Sequence, residues 1–464
     1  MIDIARAGVE RAVEIVNSGQ EFFFDTRRDI VVARAPGRLD LMGGIADYSG
    51  SLVLQWPIAE ATVALAQVDD GGRITIVSGD RRFSMPLSDL APGGEPIDYA
   101  GAAAYFEREP RDRWAAYASG CLLALMREGI VPQNAATGLR LLIASDVPEG
   151  KGVSSSAAIE VASMLATAAA LGVNVDPRRL ALLCQTVENK IAGAPCGVMD
   201  QMTSAMASAG KLFALLCQPA EVQEPVDLPE GLEVWGIDSG IRHAVSGSDY
   251  GTVRTAAAMG QWIIRSIFGS DAVPDGYLAN VDASVFEGCH ASSLPETMRG
   301  SEFADAYGDV FDPPAVVIPD LPYPVRAATA HPIHEHFRVR LFRQLLTATV
   351  DDTSAALLGD LMYQSHASYS RCGLGSTGTD RLVEIALTEG TAQGIFGAKI
   401  TGGGSGGTVA LLTRRGSEGV VREIARTYAG ESGLTPYIFA GTSTGACELG
   451  PIRLRHVDGS WALD

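Results

Sequence analysis

The sequence predicts an α+β fold, because stretches with the pattern of strands and stretches with the pattern of helices are mixed along the chain. Two observations carry this prediction. The apolar run 141–143 leads through a loop rich in glycine and serine into a helix-forming segment, and residues 395–413 read as strand, glycine-rich turn and strand. The 464 residues, 47% of them apolar, can bury a large core, and the length predicts two or three domains.

The N-terminal part begins with an amphipathic pattern that predicts a helix over 1–20. The β-branched run in 29–35 predicts a strand, which we expect Pro36 and Gly37 to end. A glycine-containing loop then leads to a second strand, in which Pro57 is expected at a bulge or an edge.

The rest of the chain alternates further strands and helices. Short strands are predicted at 73–78 and 81–87, and further strands at 138–145, 211–218 and 232–240. Helices are predicted at 111–128, from 155 onwards, and at 177–191, 337–350 and 354–370. Residues 270–335 show weak periodicity and predict an excursion or a long surface segment.

Net charge and cysteine content argue against some classes of protein and indicate a cellular compartment. The 36 basic and 55 acidic residues give a net charge of −19, which argues against a binder of nucleic acid or of anionic membranes. The seven cysteines are scattered without a C-x-x-C pair, which favours the reducing cytoplasm over a disulfide framework. No stretch is long and apolar enough to predict a membrane span. Oligomeric state stays open between monomer and homodimer.

The strand, loop and helix around residues 141–161 predict an anion site. Unpaired amides and the positive end of the helix dipole would converge on one point, and a phosphate is the expected ligand. The alternative is that the serines only cap the helix. The predicted phosphate-binding residues are Gly150, Gly152, Ser154, Ser155 and Ser156.

Three separated stretches together carry a family resemblance. They are RAPGRLDLMGGIADYSG (34–50), the serine loop (148–156) and KITGGGSGGTVALL (399–412). In this order they resemble the GHMP kinases, a superfamily that includes galactokinase, homoserine kinase and mevalonate kinase. The third stretch alone could be no more than a tight hairpin.

The resemblance implies a two-domain GHMP kinase fold. The expected N-terminal domain, 1–225, is ribosomal protein S5 domain 2-like and holds the sugar, phosphate and magnesium sites. The expected C-terminal domain, 226–464, is ferredoxin-like. The active site would lie in the cleft between them.

Further stretches resemble the galactokinase-like sugar-1-kinases. PCGVMDQ (195–201) resembles the segment that bears the catalytic aspartate, and DSGIRHAVSGSDYGTVR (238–254) resembles a sugar-binding segment. The resemblance extends to the kinase domain of L-arabinokinases. It implies transfer of phosphate from ATP to the anomeric hydroxyl of L-arabinose, which gives β-L-arabinose 1-phosphate and ADP.

The catalytic roles follow from what phosphoryl transfer needs, which is mainly positioning and electrostatic stabilisation. Asp200 would accept the proton of the anomeric hydroxyl or orient that hydroxyl, and Arg38 beside it would stabilise the developing charge. A hydroxyl from Ser155 or Ser156, together with Glu188, would ligate Mg²⁺, a hard cation that prefers oxygen ligands, and the resemblance favours Ser156. Without the resemblance, Glu188 would be a solvated helix residue; the alternative for Asp200 is a turn residue.

The predicted sugar-binding residues are Asp47, Gly44, Ile45, Gly197 and Tyr250. Alone, Tyr250 would be an ordinary packed aromatic residue. Galactokinases read G-E-H-T-D-Y where this chain has Gly43 to Tyr48, so the Glu-His pair that binds the exocyclic hydroxyl of galactose is replaced by Gly44 and Ile45. Because L-arabinose lacks that group, the replacement favours L-arabinose.

Two alternatives stay open at this point. One is a galactokinase or a kinase of another galactose-like sugar, such as 6-deoxy-D-galactose. The other is a non-catalytic regulator that binds sugar and ATP. The histidine cluster His331, His334 and His336 is expected at the surface or in packing, because no ligand pattern for zinc accompanies it.

Overall fold

The computed structural model describes residues 2–18, 23–132, 137–241, 248–308, 310 and 317–463. The strands are β1 (Ile30–Met42), β2 (Leu52–Val68), β3 (Arg73–Ser78), β4 (Arg81–Pro86), β5 (Leu139–Ser145), β6 (Lys211–Leu216), β7 (Glu221–Val222), β8 (Val226–Asp227), β9 (Leu232–Asp238), β10 (Met298–Arg299), β11 (Pro322–Tyr323), β12 (Ile395–Ile400), β13 (Thr408–Arg414), β14 (Ile438–Phe439), β15 (Ile452–Val457) and β16 (Ser460–Leu463).

The helices are α1 (Ile2–Asn17), α2 (Leu87–Leu90), α3 (Tyr99–Glu107), α4 (Ala116–Arg127), α5 (Ser155–Ala170), α6 (Pro177–Val187), α7 (Met199–Met206), α8 (Ser248–Phe268), α9 (Ala283–Val285), α10 (Gly300–Tyr307), α11 (Val325–Leu346), α12 (Asp352–Arg371), α13 (Thr377–Glu389), α14 (Glu418–Ser432) and α15 (Ala446–Leu449). Among the described residues, no helix combines the length and the apolar character needed to cross a bilayer.

Two large sheets organise the described residues, beside a two-stranded pairing of β10 with β11. In the described residues the larger sheet has the order β16-β15-β1-β2-β5-β3-β4, and β6 pairs with β2 and with β7 and β8. The smaller sheet is antiparallel, in the order β12-β13-β9-β14. This mixture of helix and strand confirms the α+β prediction. The division at residues 225 and 226 stays a prediction; the hairpin β15–β16 near the C-terminus pairs with β1 of the larger sheet.

The prediction that Pro36 and Gly37 end the first strand is wrong. β1 continues through both residues to Met42, and every residue of it is buried. Pro36 pairs with Ala61, but Arg38 pairs with Pro57, so the register shifts between them and both prolines lie at this irregularity. A bulge tolerates residues that donate no ladder hydrogen bond, which is why the strand continues.

Residues 270–335 are not only a surface segment. Short helical turns in this region bury Leu278, Phe286 and Phe303, and these residues pack with α8 in one apolar cluster. The sequence pattern did not predict these buried residues, because a single helical turn buries one isolated residue and so produces no periodicity. α11 begins at Val325, earlier than predicted, and contains Pro332. The predicted helix at 111–128 is a 3-10 turn over Pro110–Ala115 followed by α4.

Candidate active site

The phosphate loop, residues 146–154, joins β5 to the N-terminus of α5. Ser154 has the left-handed conformation, with φ 62° and ψ 45°, and its side chain makes no capping hydrogen bond. Its buried Oγ has no partner among the described residues. The backbone N–H groups of residues 150–156 donate to no backbone carbonyl in the described part of the chain. Capping therefore does not account for Ser154, and the loop offers free donors at a positive helix end, as a phosphate site requires.

The glycine turn, residues 401–407, lies directly on the phosphate loop. A Cβ on Gly402 would lie 2.5 Å from the carbonyl oxygen of Gly152, and one on Gly407 would lie 2.6 Å from that of Lys151. Both glycines also have positive φ. Side chains here would push the turn away from the loop, so these glycines are required for the two backbones to meet. The strand–turn–strand prediction is confirmed, and the turn is more than a hairpin.

Arg38 connects the predicted catalytic acid to the phosphate loop. Its Nε and Nη2 donate to Oδ1 of Asp200 at 3.0 and 2.7 Å, and its Nη1 donates to the carbonyl oxygen of Gly152 at 2.6 Å. The arginine side chain is 3% exposed and the aspartate 21%. Asp200 lies in the first turn of α7. A charge-assisted pair with two donors fixes the carboxylate orientation better than a single contact does.

Glu188 and Ser156 form a site suited to a magnesium ion. Glu188 begins a π-helical turn after α6 and is 6% exposed, so it is not a solvated helix residue. Burial raises the pKa of its carboxyl to about 7, which a hydrogen bond from Ser156 opposes. Gln201 donates from Nε2 to Oε2 of Glu188 at 2.5 Å and to Oε2 of buried Glu160 at 3.1 Å. One carboxylate with one hydroxyl is a donor set that Mg²⁺ accepts.

Asp47 and Gly197 lie against each other. Asp47 is 4% exposed, and its Oδ1 has no hydrogen-bond partner in the described residues. Burial, together with the negative charge of Asp200, raises the pKa of Asp47 to about 7. A Cβ on Gly197 would lie 1.6 Å from Oδ2 of Asp47, so only glycine leaves room for that carboxylate. The result is a buried carboxylate oxygen, Oδ1 of Asp47, that lies near the predicted catalytic acid and has no hydrogen-bond partner in the described residues.

Tyr250 extends the site onto α8. Its ring stacks edge to face on Tyr48 with centroids 5.8 Å apart, and a Cβ on Gly403 of the glycine turn would lie 3.6 Å from it. One helical turn on, Arg254 lies over the Tyr48 ring at 5.9 Å and donates to the carbonyl oxygen of Cys196 at 3.4 Å. The sequence interpretation missed Arg254, although its spacing of four from Tyr250 on a helix was a usable signal.

Gly44 and Ile45 lie deeper than the other predicted sugar-binding residues. The Gly44 carbonyl accepts a hydrogen bond from His331 Nε2 at 3.0 Å. Ile45 is fully buried with φ 50°, and it belongs to an apolar cluster that includes Val253 and Tyr369. Its selectivity role stays a prediction. The middle of the predicted sugar-binding stretch, 242–247, lies outside the described residues.

The three histidines of the predicted cluster do not converge. His331 also contacts the Ser368 hydroxyl at 2.8 Å, His336 Nδ1 accepts from the Leu52 N–H at 3.0 Å, and His334 pairs with an exposed glutamate. No group of three or more potential metal-ligating side chains occurs in the described ranges. The histidines serve in packing and at the surface.

Sequence comparisons agree with this geometry. Residues 116–208 match the profile of the GHMP kinases N terminal domain, 345–430 match that of the GHMP kinases C terminal domain, and 20–68 match the galactokinase galactose-binding signature. The chain is 30% identical to galactokinase from Streptomyces coelicolor over 89% of its own length and 93% of that protein.

The chain belongs to the GHMP kinase family, among the galactokinase-like sugar-1-kinases.

A second relative is more similar in sequence. L-arabinokinase from Arabidopsis thaliana is 44% identical over 93% of this chain, which spans about half of that protein, 47% of its length. Among solved structures, galactokinase from Lactococcus lactis complexed with galactose superposes with a TM-score of 0.74 at 21% identity and covers 94% of this chain and 98% of that one. Mevalonate kinase from Methanococcus jannaschii superposes with a TM-score of 0.55 at 14% identity and covers 88% of this chain and 98% of that one. The predicted GHMP kinase fold is confirmed.

Proposed function

We propose that this sugar-1-kinase transfers the γ-phosphate of ATP to the anomeric hydroxyl of L-arabinose and releases β-L-arabinose 1-phosphate and ADP. The observation that carries the proposal is the Arg38–Asp200 pair, hydrogen-bonded to the phosphate loop through Gly152. These hydrogen bonds hold the proposed base Asp200, the cation Arg38 and the phosphate loop together. The 44% identity to L-arabinokinase supports the choice of sugar.

Asp200 is the group that handles the proton. Its carboxylate accepts the proton of the anomeric hydroxyl as the sugar oxygen bonds to the γ-phosphorus and the bond from that phosphorus to the bridging oxygen breaks. Arg38 pairs with the charge of the Asp200 carboxylate, and its contact with the Gly152 carbonyl keeps its positive charge at the phosphate loop, where it would stabilise the transferred phosphate. The pair also prevents Asp200 from rotating out of position.

We assign nucleotide and metal to residues whose donor and acceptor groups suit them. The amides of residues 150–156 and the unpartnered Oγ of Ser154 would hold the β- and γ-phosphates. Ser156 and Glu188 would hold Mg²⁺, which when bound neutralises phosphate charge. Lys151, paired with Asp238 at 2.9 Å, is fixed at the same loop. The sequence interpretation had not singled out this lysine.

Asp47, Gly197 and Tyr250 would bind the sugar. The unpartnered Oδ1 of Asp47 is a buried acceptor, and ring hydroxyls are the donors it lacks. Replacement of the galactokinase Glu-His pair by Gly44 and Ile45 leaves no side-chain partner for an exocyclic hydroxyl. Burying that hydroxyl unpaired costs about 1–3 kcal/mol, which corresponds to a roughly ten- to hundredfold preference for the pentose.

D-Galactose is the second candidate substrate, because galactokinases match nearly the whole chain at 28–30% identity. The reaction draws on ATP, which is compatible with the cytoplasmic location that the scattered cysteines predict. The division into domains at residues 225 and 226 and a state of monomer or homodimer remain part of the proposal.

The test is ADP release measured with a panel of sugars at saturating ATP and Mg²⁺. We expect the highest kcat/KM with L-arabinose, and lower values with D-galactose and 6-deoxy-D-galactose. Equal or better turnover of D-galactose would reject the assignment of the sugar. ADP release that no sugar stimulates would reject the kinase reaction and favour a regulator that only binds its ligands.

A further inference from the structure

Position 44 requires glycine because there is no space for a side chain, and not because of its backbone conformation. It is absent from the residues with positive φ, so an L-amino acid could adopt its backbone angles. A Cβ at this position, however, would lie 1.9 Å from Oη of Tyr369 and 2.4 Å from Oδ2 of Asp40. The volume that a side chain at position 44 would need is therefore already occupied, mainly by a hydroxyl from a distant helix.

Tyr369 is held firmly in this place. The residue is fully buried in α12, and its hydroxyl donates to the carbonyl oxygen of Gly402 at 3.0 Å. Asp40 Oδ2 lies 3.5 Å from the same hydroxyl. The ammonium of Lys399 lies 5.1 Å from the centre of the tyrosine ring and 2.5 Å from Asp40 Oδ2, with both charges fully buried. The oxygen cannot leave without breaking a buried polar network.

The backbone beside Gly44 is fixed as well. His331 Nε2 donates to the Gly44 carbonyl, and its Nδ1 therefore accepts from Ser368, the neighbour of Tyr369. The N–H of Gly43 donates to Oε1 of Glu335 at 3.0 Å. The loop between β1 and β2 is thus joined to α11 and α12, and it cannot shift to make room for a larger group.

Tyr369 also adjoins the proposed sugar site. Its hydrogen-bond partner Gly402 belongs to the glycine turn, and the next residue, Gly403, faces the ring of Tyr250. On the other side, Gly44 lies three residues before Asp47 in the same loop. The hydroxyl therefore stands between the loop that carries Asp47 and the glycine turn that packs against Tyr250.

We propose that Tyr369 is a specificity-determining residue, whose hydroxyl fills the volume beside Gly44 and excludes the exocyclic carbon of a hexose. It acts by occupying space and not by a bond to the substrate. The inference rests on the proposed function, because it assumes that the loop from Gly44 to Asp47 borders the sugar. It assigns the selectivity to a pair of residues, Gly44 and Tyr369, in addition to Ile45.

The test uses three variants and the ratio of kcat/KM for D-galactose to that for L-arabinose. Tyr369→Phe removes one oxygen, and we expect the ratio to rise about tenfold, the usual size of such steric discrimination. Gly44→Ala/Tyr369→Phe places a methyl group where the oxygen was, so the ratio should return to the wild-type value. Tyr363→Phe is the matched control, since Tyr363 is also in α12 and its hydroxyl has no partner among the described residues; it should leave the ratio unchanged.

Thermal unfolding gives a readout that needs no substrate. Gly44→Ala alone overpacks the site and should lower the unfolding midpoint by about 2–4 °C. In the Tyr369→Phe background the same change should lower it less, because the contact with Oη is gone and only that with Oδ2 of Asp40 remains. Three results would each overturn the inference. The midpoint shifts of the two single variants could add up to that of the double variant, Tyr369→Phe could leave the galactose-to-arabinose ratio within twofold of wild type, or the double variant could keep the raised ratio. If the wild type accepts neither sugar, the proposed function fails, while non-additive midpoints still support the contact.

Discussion

Arg38 and Asp200, which are remote in sequence, form a partly buried ion pair in which two guanidinium nitrogens donate to one carboxylate oxygen. The third nitrogen of the same guanidinium holds the carbonyl of Gly152 in the phosphate loop. The pair brings together three elements of the fold: β1, α7 and the loop before α5. The proposed proton acceptor and the proposed phosphate site are therefore held next to each other, as in-line phosphoryl transfer requires.

Asp200→Asn should lower kcat by roughly 10²- to 10⁴-fold, the range for loss of a positioned general base. The amide keeps the shape and can still accept from Arg38, so sugar and nucleotide should still bind. Steady-state ADP release and calorimetric titration measure the two effects. Asp227→Asn is the control, because Asp227 pairs with Lys211 at the surface. An Asp200→Asn enzyme with more than about a tenth of wild-type kcat would contradict the role of Asp200.

Much of this site could be predicted from local sequence. The strand, loop and helix over residues 139–170 form as expected because apolar pattern, glycines and serines all act within one short stretch. Pro36 misled the prediction, since pairing with β2 at a bulge overrides the local signal for a break. Tyr369 was beyond prediction, because no periodicity links it to Gly44, which it meets only through tertiary packing.

The Mg²⁺ requirement should depend on pH through Glu188. Burial raises the pKa of this carboxyl to about 7, so below that pH a metal ion must displace a proton. We expect the apparent affinity for free Mg²⁺ to fall about tenfold per pH unit below 7. Activity as a function of free Mg²⁺ at fixed saturating ATP, measured from pH 5.5 to pH 8, tests this.

Glu188→Gln should abolish that pH dependence and weaken the response to Mg²⁺ at every pH. Glu160→Gln is the matched control. Burial and the neighbouring Glu188 raise the pKa of Glu160 well above its ordinary value, which favours the neutral acid, and an amide resembles that acid. A wild-type Mg²⁺ response that does not change with pH, or one that only Glu160→Gln alters, would argue against Glu188 as the ligand.

Asp47→Asn should stabilise the ligand-free protein while it impairs catalysis. Folding raises the pKa of Asp47 from 3.8 to about 7, mainly by burial, so the folded state holds a proton that the unfolded state releases between these values. Stability is therefore lost as pH rises from about 4 to 7, and above pH 7 the ionised carboxylate destabilises the folded state by roughly 4 kcal/mol. Asp47→Asn removes this destabilisation, because an amide carries no charge.

Urea unfolding at pH 8 and pH 5 measures this effect. The gain in the free energy of unfolding should be largest at pH 8 and smaller at pH 5, whereas the exposed control Asp305→Asn should show no such pH dependence. The kcat/KM for sugar should fall at least tenfold, because an amide cannot replace a charged acceptor. Equal gains at both pH values would show that burial of the charge is not the cause.

Gly197→Ala should impair sugar binding specifically. The added methyl group would lie 1.6 Å from Oδ2 of Asp47 and must displace that carboxylate. We expect the KM for sugar to rise at least tenfold, with the KM for ATP within about threefold of wild type, because overpacking costs about 1–3 kcal/mol and acts on Asp47 alone. Steady-state kinetics with each substrate varied in turn measures the KM for sugar and the KM for ATP separately.

Gly430→Ala is the matched control for that substitution. Gly430 lies in α14 with no atom near the position of an added Cβ, so the change should leave both KM values unaltered. If Gly197→Ala raised the KM for ATP as much as that for sugar, the assignment of Asp47 and Gly197 to the sugar site would be wrong.

The most direct test of the central claim is the identity of the product. Purified protein is incubated with ATP, Mg²⁺ and L-arabinose, and the reaction is followed by ³¹P NMR. The account predicts a new phosphate monoester whose phosphorus couples to the anomeric proton, formed in equal amount to ADP. Phosphate on any other hydroxyl, or inorganic phosphate as the sole new species, would contradict it.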